Sequence, residues 1–100
     1  MTLLRYRLRP IAEVELGNAA EWYEQQRPGL GFDFRAAVLA TFNHIAANPR
    51  LYAVEHSDIR LAPVDRFPTY VVCYRLRPGV VVVVSVFHTS RDPASWQERA

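Results

Sequence analysis

The side chains best suited to chemistry directly follow the most apolar segment of the chain. His88, Arg91 and Asp92 come immediately after the valine-rich run that begins at Val80. An imidazole can donate a proton and a guanidinium can hold a phosphate, so this cluster could form a cationic site at the end of a sheet. The alternative is an Arg–Asp pair that closes a turn beside a surface histidine.

Signatures of other catalytic sites are missing from the sequence. It has no glycine-rich phosphate loop, no G-x-S-x-G nucleophile motif and no paired cysteines. The three histidines, His44, His56 and His88, lack the spacing of metal ligands, so we expect no metal and no cofactor. Cys73 is the only cysteine, lies among valines, and is predicted to be a small buried hydrophobic residue.

Length and composition indicate one globular domain over residues 1–100. A single cysteine excludes a disulfide framework and fits a reducing cytoplasm. No signal peptide is visible. The longest apolar run, residues 80–87, is far shorter than the roughly 20 residues that cross a membrane. We therefore expect a soluble, cytoplasmic protein with no membrane partner.

The elements that must position these residues follow from the periodicity of apolar side chains. Apolar residues alternate with arginines over residues 3–8, which predicts a half-buried strand. Pro10 suits the first turn of a helix, and residues 11–26 have a helical apolar period. After a Pro-Gly break, a second amphipathic helix is predicted from about residue 30 or 32 to residue 47. The short connection predicts an antiparallel helix pair.

Three strands complete the predicted fold. Residues 59–64 are interrupted by Pro63, which favours a sheet edge or an early end of the strand. Residues 69–77 alternate, with arginines on one face, and a Pro-Gly turn leads into residues 80–87, which are apolar on both faces, as in a central strand. The order β-α-α-β-β-β predicts an α+β fold, with an antiparallel helical hairpin packed on a mostly antiparallel four-stranded sheet.

Arginine supplies all twelve basic residues, and its distribution divides the chain. A GC-rich genome, which favours arginine codons, is the simplest explanation for the absence of lysine. Residues 13–58 carry seven acids and three arginines, whereas residues 59–100 carry six arginines and three acids. The helical half is therefore acidic and the sheet half basic, although the net charge is only +2. A basic sheet surface could contact a nucleic acid or an acidic protein.

Two aromatic segments have both a structural and a functional interpretation. Arg66-Phe67-Pro68 lies between two strands, where the phenylalanine is expected to fill the core and the arginine to be solvated. Trp22 and Tyr23 are expected to anchor the helix pair in the core. Their functional alternative is a partner-binding surface, because two consecutive residues cannot fully share one helix face.

Four segments, in this order and spacing, resemble the RelE/ParE toxin superfamily, also known as plasmid stabilisation proteins. The resemblance covers about residues 12–96. The segments are WYEQQRPGLG from Trp22 with Phe34 after it, Asn48-Pro49, RFPTYVVCYR from Arg66, and VFHTSRDP from Val86 with Trp96 after it. The β-α-α-β-β-β order deduced from periodicity agrees with the fold that the resemblance implies.

The resemblance implies a type II toxin that a cognate antitoxin neutralises. Antitoxins of this superfamily are usually DNA-binding proteins whose disordered tails wrap the toxin, so the toxin would reach promoter DNA only through the antitoxin. Two activities occur in the superfamily. RelE-like members are ribosome-dependent nucleases that cut mRNA, and ParE-like members inhibit DNA gyrase without being catalysts.

The residues at the positions of the nuclease motif favour the ParE-like branch. RelE-like nucleases place an arginine where Val71 follows Tyr70 here, and they use a tyrosine in the C-terminal tail, whereas this chain has no tyrosine after Tyr74. Their basic pair after the last strand is only partly matched, by His88 and Arg91. We therefore expect a gyrase inhibitor that is not an enzyme.

Two alternatives to the gyrase inhibitor remain open. The first is an mRNA endonuclease acting on the ribosome with His88 and Arg91 as the reactive pair, and the second is a non-toxic interaction module. In every case the expected partner surface is the basic end of the sheet, with the antitoxin also covering apolar grooves beside the helices. The candidate target- or partner-binding residues are Arg60, Arg66, Arg75, His88, Arg91 and Trp96.

Overall fold

A computed structural model describes residues 4–100 of the chain. In chain order the elements are β1 (Arg5–Leu8), α1 (Pro10–Gln26), α2 (Leu30–Ala47), β2 (Val54–His56), β3 (Ile59–Val64), β4 (Phe67–Arg77), β5 (Val80–His88) and α3 (Ala94–Gln97). Leu3, at which the first strand was predicted to begin, lies outside the described residues. No helix in residues 4–100 is long and apolar enough to cross a membrane.

The sheet confirms the predicted α+β architecture and contains one strand more than expected. Its strand order is β1-β5-β4-β3-β2, in which β1 runs parallel to β5 and the other neighbours are antiparallel. The extra strand, β2, has three residues and is largely exposed, so it lacks the apolar alternation by which strands are identified. Pro63 lies in β3, which is covered on its outer side only by β2.

The two helices form an antiparallel pair because the connection between them is tight and closely packed. Gly29 has φ 89°, a left-handed conformation that favours glycine. A Cβ on Gly31 would lie 2.5 Å from the carbonyl oxygen of Ala20, so glycine is required for the helices to approach this closely. The Glu24 carboxylate accepts hydrogen bonds from the N–H groups of Gly29 and Gly31 and thereby caps α2.

Apolar residues fill both faces of the sheet. The helix-facing side is an aromatic cluster in which Tyr23 and Phe34 pack against Phe67 and Tyr70 with ring centroids 4.9–6.1 Å apart. The opposite face is covered by α3 and contains Ile59, Val71, Cys73, Val82, Val84, Phe87 and Trp96. Both faces of β4 and β5 are therefore buried over most of their length.

Cys73 confirms the prediction of a buried hydrophobic residue. Its side chain is fully buried on the sheet face opposite the helices. Burial raises the pKa of its thiol to about 12, with a smaller contribution from the negative charge of Glu15. A thiol with such a pKa is not a nucleophile at neutral pH.

The first strand is shorter than its neighbour, and this leaves room for a site. β1 pairs with β5 only as far as Leu8, which lies opposite Val83. From residue 84 onward, the edge of β5 that β1 leaves unpaired lies beside helix α1. The register of the β4–β5 pairing also shifts between Cys73 and Tyr74. The carboxyl end of β5 therefore presents its edge to α1.

Candidate partner-binding groove

A groove of about 390 Å³ lies between α1 and the carboxyl end of β5. We call it the α1–β5 groove. Its helical wall comes from α1, its floor from β4 and β5, and its far rim from the turn that follows β5. The residues that line it are Glu15, Asn18, Ala19, Trp22, Tyr70, Val86, His88, Ser90 and Arg91.

Glu15 closes the exposed edge of β5 at the base of the groove. Its Oε1 accepts hydrogen bonds from the Ser85 hydroxyl at 2.9 Å and from the Val86 backbone N–H at 3.2 Å. Arg99, from the C-terminal tail, donates to both carboxylate oxygens at 3.0 and 3.3 Å and also to the Val84 carbonyl at 2.8 Å. The Glu15–Arg99 ion pair thus covers the edge of β5 beyond the point where its pairing with β1 ends.

The hydrogen bonds of His88 determine which of its ring nitrogens carries a proton. Its Nδ1 lies 3.1 Å from the backbone nitrogen of Ser90 and 2.7 Å from the Ser90 hydroxyl oxygen. Because a backbone N–H can only donate, Nδ1 must be an acceptor and the ring proton must be on Nε2. Tyr70 packs edge-on against the ring at 4.9 Å between centroids. His88 is therefore held as a donor through Nε2.

Arg91 is the free positive charge of the groove. No carboxylate of residues 4–100 forms an ion pair with it, and the pair with Asp92 that sequence allowed does not form. Asp92 instead accepts a hydrogen bond from the Ala94 N–H at 3.0 Å. Burial raises the pKa of the neighbouring Tyr70 hydroxyl above its ordinary value, with Tyr23 adding to this and Arg91 opposing it. Tyr70 is thus a neutral hydroxyl beside a cation.

Trp22 corrects the expectation that both aromatic residues of α1 lie in the core. Tyr23 does pack beneath the helix pair, but Trp22 is 54% exposed and lines the groove. Its aromatic contact is an edge-on one with Tyr23, with ring centroids 5.1 Å apart. Consecutive helical residues point about 100° apart, and the partly buried Tyr23 is the one of the two that faces the core. Ile11 and Val14 are also exposed, and at this spacing they continue the apolar surface of Trp22 along α1.

The structure brings together only two of the six candidate binding residues. His88 and Arg91 line the groove. Arg75 lies five residues beyond Tyr70 along β4, a separation of about 17 Å, and is 6% exposed. Its guanidinium donates to Asp58 at 2.7 and 3.1 Å, which makes it an internal ion-pair partner.

The other three candidates also lie outside the groove. Arg60 donates to the Tyr52 carbonyl at 2.6 Å and thus ties down the chain before β2. Trp96 is 3% exposed on the opposite face of the sheet. Arg66 is solvated, as expected, and occupies the β3–β4 turn with φ 67°, 3.9 Å from Asp33. The residues that were expected to form one basic end of the sheet therefore lie at several separate positions.

A second depression of about 710 Å³ lies between α2 and β3, with Arg66 on its rim. Arg66 is the only arginine that lines it among residues 4–100. Asp65 lines it too, and Asp33 lies 3.9 Å from Arg66. The acids therefore outnumber this cation, whereas Arg91 in the α1–β5 groove has no ion-pair partner among residues 4–100.

Sequence reasoning did not identify Glu15, Ser90 or Arg99. Glu15 looks like one more acid on a solvated helix face, and its partner Arg99 is 84 residues away in sequence. Ser90 carried a usable signal, because a serine two residues after a histidine can bond back to it. In residues 4–100 no group of three or more His, Cys, Asp or Glu side chains could hold a metal ion.

Comparison with known proteins identifies the family of the chain and agrees with its fold. The family model for the ParE toxin of the type II toxin-antitoxin system parDE matches residues 6–93. The chain therefore belongs to the ParE toxin family and is the toxin component of a type II system. A solved structure titled as the chromosomal ParDE TA system from P. aeruginosa is similar, with a TM-score of 0.75 over 86% of this chain and 96% of that chain. No curated protein matches.

The similarity to the solved structure is one of fold. The two chains are 10% identical over the aligned region, so the arrangement of helices and strands is shared while side chains are not. What the groove of this chain binds must consequently be argued from its own residues.

Proposed function

We propose that this toxin stops growth in the bacterial cytoplasm by binding and poisoning DNA gyrase, and that a cognate antitoxin neutralises it. Membership of the ParE family supports this activity. The observation that carries the choice of a binding toxin over a nuclease is the hydrogen bonding of His88. With Nδ1 occupied by Ser90, the ring offers a proton from Nε2 and has no free basic nitrogen.

RNA cleavage by attack of the 2′-hydroxyl needs a base, an acid and cations around the scissile phosphate. In this chain Val71 stands where nucleases of the superfamily have an arginine, and it faces the apolar cluster under α3. Arg75 forms an ion pair with Asp58, and Trp96 is buried. Because Arg99 is paired with Glu15, Arg91 would then be the only unpaired arginine among residues 4–100 that lines the groove, which is too few for phosphate chemistry.

The charge of α1 also disfavours an RNA substrate. The helix carries four acids and no basic residue: Glu13, Glu15, Glu21 and Glu24. A polyanion lying along the groove would run beside these carboxylates and be repelled. The carboxylates of α1 would not repel a polypeptide in this way.

The test is a supercoiling assay with purified gyrase, relaxed plasmid and increasing toxin, with and without excess antitoxin. We expect loss of supercoiling, accumulation of cleaved DNA, and recovery when the antitoxin is added. The matched negative control is toxin already bound to antitoxin. Normal supercoiling in the presence of folded toxin that stops growth in cells would contradict the proposal.

A second candidate function is supported by the proximity of His88, Arg91 and Tyr70 in one groove. An mRNA endonuclease could use Nε2–H of His88 as the acid and Arg91 to hold the phosphate. Mapping of mRNA ends on ribosomes after induction distinguishes the two functions. Cuts within ribosome-bound mRNA support the nuclease, whereas intact mRNA in arrested cells supports the gyrase poison. Harmless overexpression would instead indicate a non-toxic interaction module.

A further inference from the structure

We propose that an arginine-rich face of the sheet contacts the phosphate backbone of the duplex DNA that gyrase holds while this toxin poisons the enzyme. The proposal rests on the proposed function and deepens it by naming DNA as a second component that the toxin touches. The face consists of Arg5, Arg7 and Arg77, all of which are exposed, and we call it the arginine face.

The arginine face lies on the side of the sheet that the two long helices leave uncovered. Tyr6 of β1 and Leu76 of β4 pack against the core under the helices. Because successive residues of a strand point to opposite sides of the sheet, Arg5, Arg7 and Arg77 point away from the helices.

The register of the strands brings the three arginines together. Arg5 on β1 and Arg77 on β4 both lie opposite Val80 of the intervening strand β5. Two strand spacings separate them, so their Cα atoms are about 10 Å apart, and Arg7 follows Arg5 on the same side at about 7 Å. Each strand of DNA carries a phosphate about every 3.4 Å along the helix axis, so a patch of this size faces several phosphates.

Acids balance only part of the positive charge on this face. Asp58 is the one carboxylate of residues 4–100 that forms an ion pair with any of its arginines. It binds Arg77 at 2.8 Å, but it also binds the buried Arg75 at 2.7 Å, so its single negative charge is shared between two cations. Arg5 and Arg7 form no ion pair within the described part of the chain.

Two further arginines lie beside the arginine face and add to its positive potential. The guanidinium groups of Arg9 and Arg75 both donate to the Arg99 carbonyl, at 3.5 and 3.4 Å. Like charges that a fold holds close together attract oppositely charged ligands. Helix α1, which carries four acids, packs against the other face of the sheet. A polyanion can therefore approach the arginine face without lying along the acidic helix.

The side chains around the arginine face favour DNA over a protein. Protein interfaces are usually centred on exposed apolar or aromatic side chains. Within residues 4–100 the large exposed hydrophobic side chains belong to α1, α2, the α2–β2 connection and β2: Ile11, Val14, Trp22, Phe32, Leu39, Leu51 and Val54. The arginine face has none of them, and guanidinium groups without an apolar centre suit phosphates, which they bind through paired hydrogen bonds.

The same side chains favour a duplex over single-stranded RNA. Unpaired bases are bound mainly by stacking on exposed aromatic rings. Phe87 and Trp96 lie on this side of the sheet, but both are buried. Contact with a duplex through its phosphates needs no such ring.

The first experiment measures DNA binding by the toxin without gyrase. Arg5→Gln/Arg7→Gln is compared with wild type and with Arg35→Gln/Arg50→Gln, a control that removes the same charge from two exposed arginines of α2 and the α2–β2 connection. Fluorescence anisotropy follows a labelled duplex of about 20 base pairs at about 50 mM salt, where contacts with phosphates are strong. We expect Arg5→Gln/Arg7→Gln to bind the duplex at least tenfold more weakly and the control to bind it as wild type does.

The salt dependence counts the phosphate contacts. Each contact adds about 0.9 to the slope of log K against log salt, so the slope should fall in magnitude from about 3 in wild type to about 1 in Arg5→Gln/Arg7→Gln. Asp58→Asn removes the carboxylate that Arg77 shares with Arg75 and should tighten DNA binding by roughly threefold. A gain of affinity cannot result from misfolding.

The second experiment places this contact in the poisoned complex. We expect Arg5→Gln/Arg7→Gln to bind DNA-free gyrase and antitoxin as wild type does in calorimetry. It should nevertheless need at least about threefold more toxin to trap the same amount of cleaved plasmid, because the contact with DNA is weakened. This difference should shrink as salt is raised.

Each assay has a result that would overturn the proposal. Wild-type DNA affinity in Arg5→Gln/Arg7→Gln, or an equal loss in the control, would show that the arginine face does not bind DNA. Weakened binding to DNA-free gyrase would assign the face to the enzyme, and weakened antitoxin binding with unchanged DNA affinity would assign it to the antitoxin. If wild-type toxin fails to poison gyrase, the proposed function fails, whereas the anisotropy measurement still decides whether the arginine face binds DNA.

Discussion

Replacing Glu15 by glutamine removes the charge of the ion pair that closes the β5 edge and leaves most of its shape. The amide keeps one oxygen that can accept from Ser85 and Val86, but its NH₂ group faces the guanidinium of Arg99. The variant therefore isolates the contribution of the ion pair from that of the two other hydrogen bonds.

The expected cost follows from the burial of the pair. Removing one partner of a fully buried ion pair costs about 3–5 kcal/mol. The Arg99 and Glu15 side chains are 19% and 17% exposed, so solvent screens part of this interaction. We expect Glu15→Gln to lower the free energy of unfolding by about 2 kcal/mol, which for a domain of this size lowers Tm by roughly 8–16 °C.

Glu15→Ala should cost more than Glu15→Gln. It also removes the acceptor for Ser85, which is fully buried, and for the backbone N–H of Val86. Each buried donor left without a partner adds about 1–3 kcal/mol.

The assay for both variants is urea unfolding followed by tryptophan fluorescence. Glu21→Gln is the matched control, because Glu21 is an exposed acid on the same helix, and it should change stability by less than about 0.5 kcal/mol. A wild-type unfolding free energy in Glu15→Gln would refute the reasoning, since it would mean that Arg99 and Glu15 do not interact productively in solution.

Three further changes have expected outcomes. Gly31→Ala should destabilise the fold by about 1–3 kcal/mol, because its Cβ would lie 2.5 Å from the Ala20 carbonyl oxygen. Thermal unfolding checks this, and an unchanged Tm would contradict it. Arg66→Gly should raise stability by about 0.5–1 kcal/mol, because glycine adopts φ 67° without strain; a lower Tm would mean that the arginine side chain stabilises the turn. Hydrogen bonds from Arg77 and Arg75 hold the pKa of Asp58 below its ordinary value, so its contribution to stability is present above about pH 4 and lost as pH falls through the lowered pKa. The difference in urea midpoint between wild type and Asp58→Asn should therefore shrink as the pH is lowered from 6, and a constant difference would argue against this ion pair.

Most of the fold could be predicted because its elements are marked by local chemistry. The Pro-Gly break and the Asn48-Pro49 stop define a helix that indeed ends at Ala47. The alternation in β4 separates Tyr70 and Val72 from Val71 and Cys73 on opposite faces, as predicted. These patterns depend on residues that are close together in sequence, so the sequence of one chain is enough to identify them.

What could not be predicted depends on partners distant in sequence. β2 is only three residues long and has no apolar period, and the parallel pairing of β1 with β5 joins residues about 75 apart. Trp22 and Tyr23 have nearly the same local signal, and only the position of Phe34 and Phe67 decides which of them packs against the core.

The candidate site was predicted in part. His88 and Arg91 were identified because polar residues at the end of a central strand face a sheet edge. Arg60, Arg75 and Trp96 looked equally available in sequence, but Asp58 and the Tyr52 carbonyl engage the two arginines and the apolar face of the sheet buries the tryptophan. Whether these residues also contact a partner stays a prediction.

The most direct test of the proposed function compares wild-type toxin and His88→Gln in a gyrase cleavage assay. Covalent gyrase–DNA complexes are trapped with detergent and quantified as linear plasmid. If the toxin poisons gyrase without catalysis, both proteins should trap the complex to the same extent, because glutamine only replaces a hydrogen-bond donor in the groove. Absence of trapped complexes with wild type, together with mRNA cleavage that His88→Gln abolishes, would contradict the account and identify His88 as a catalytic residue.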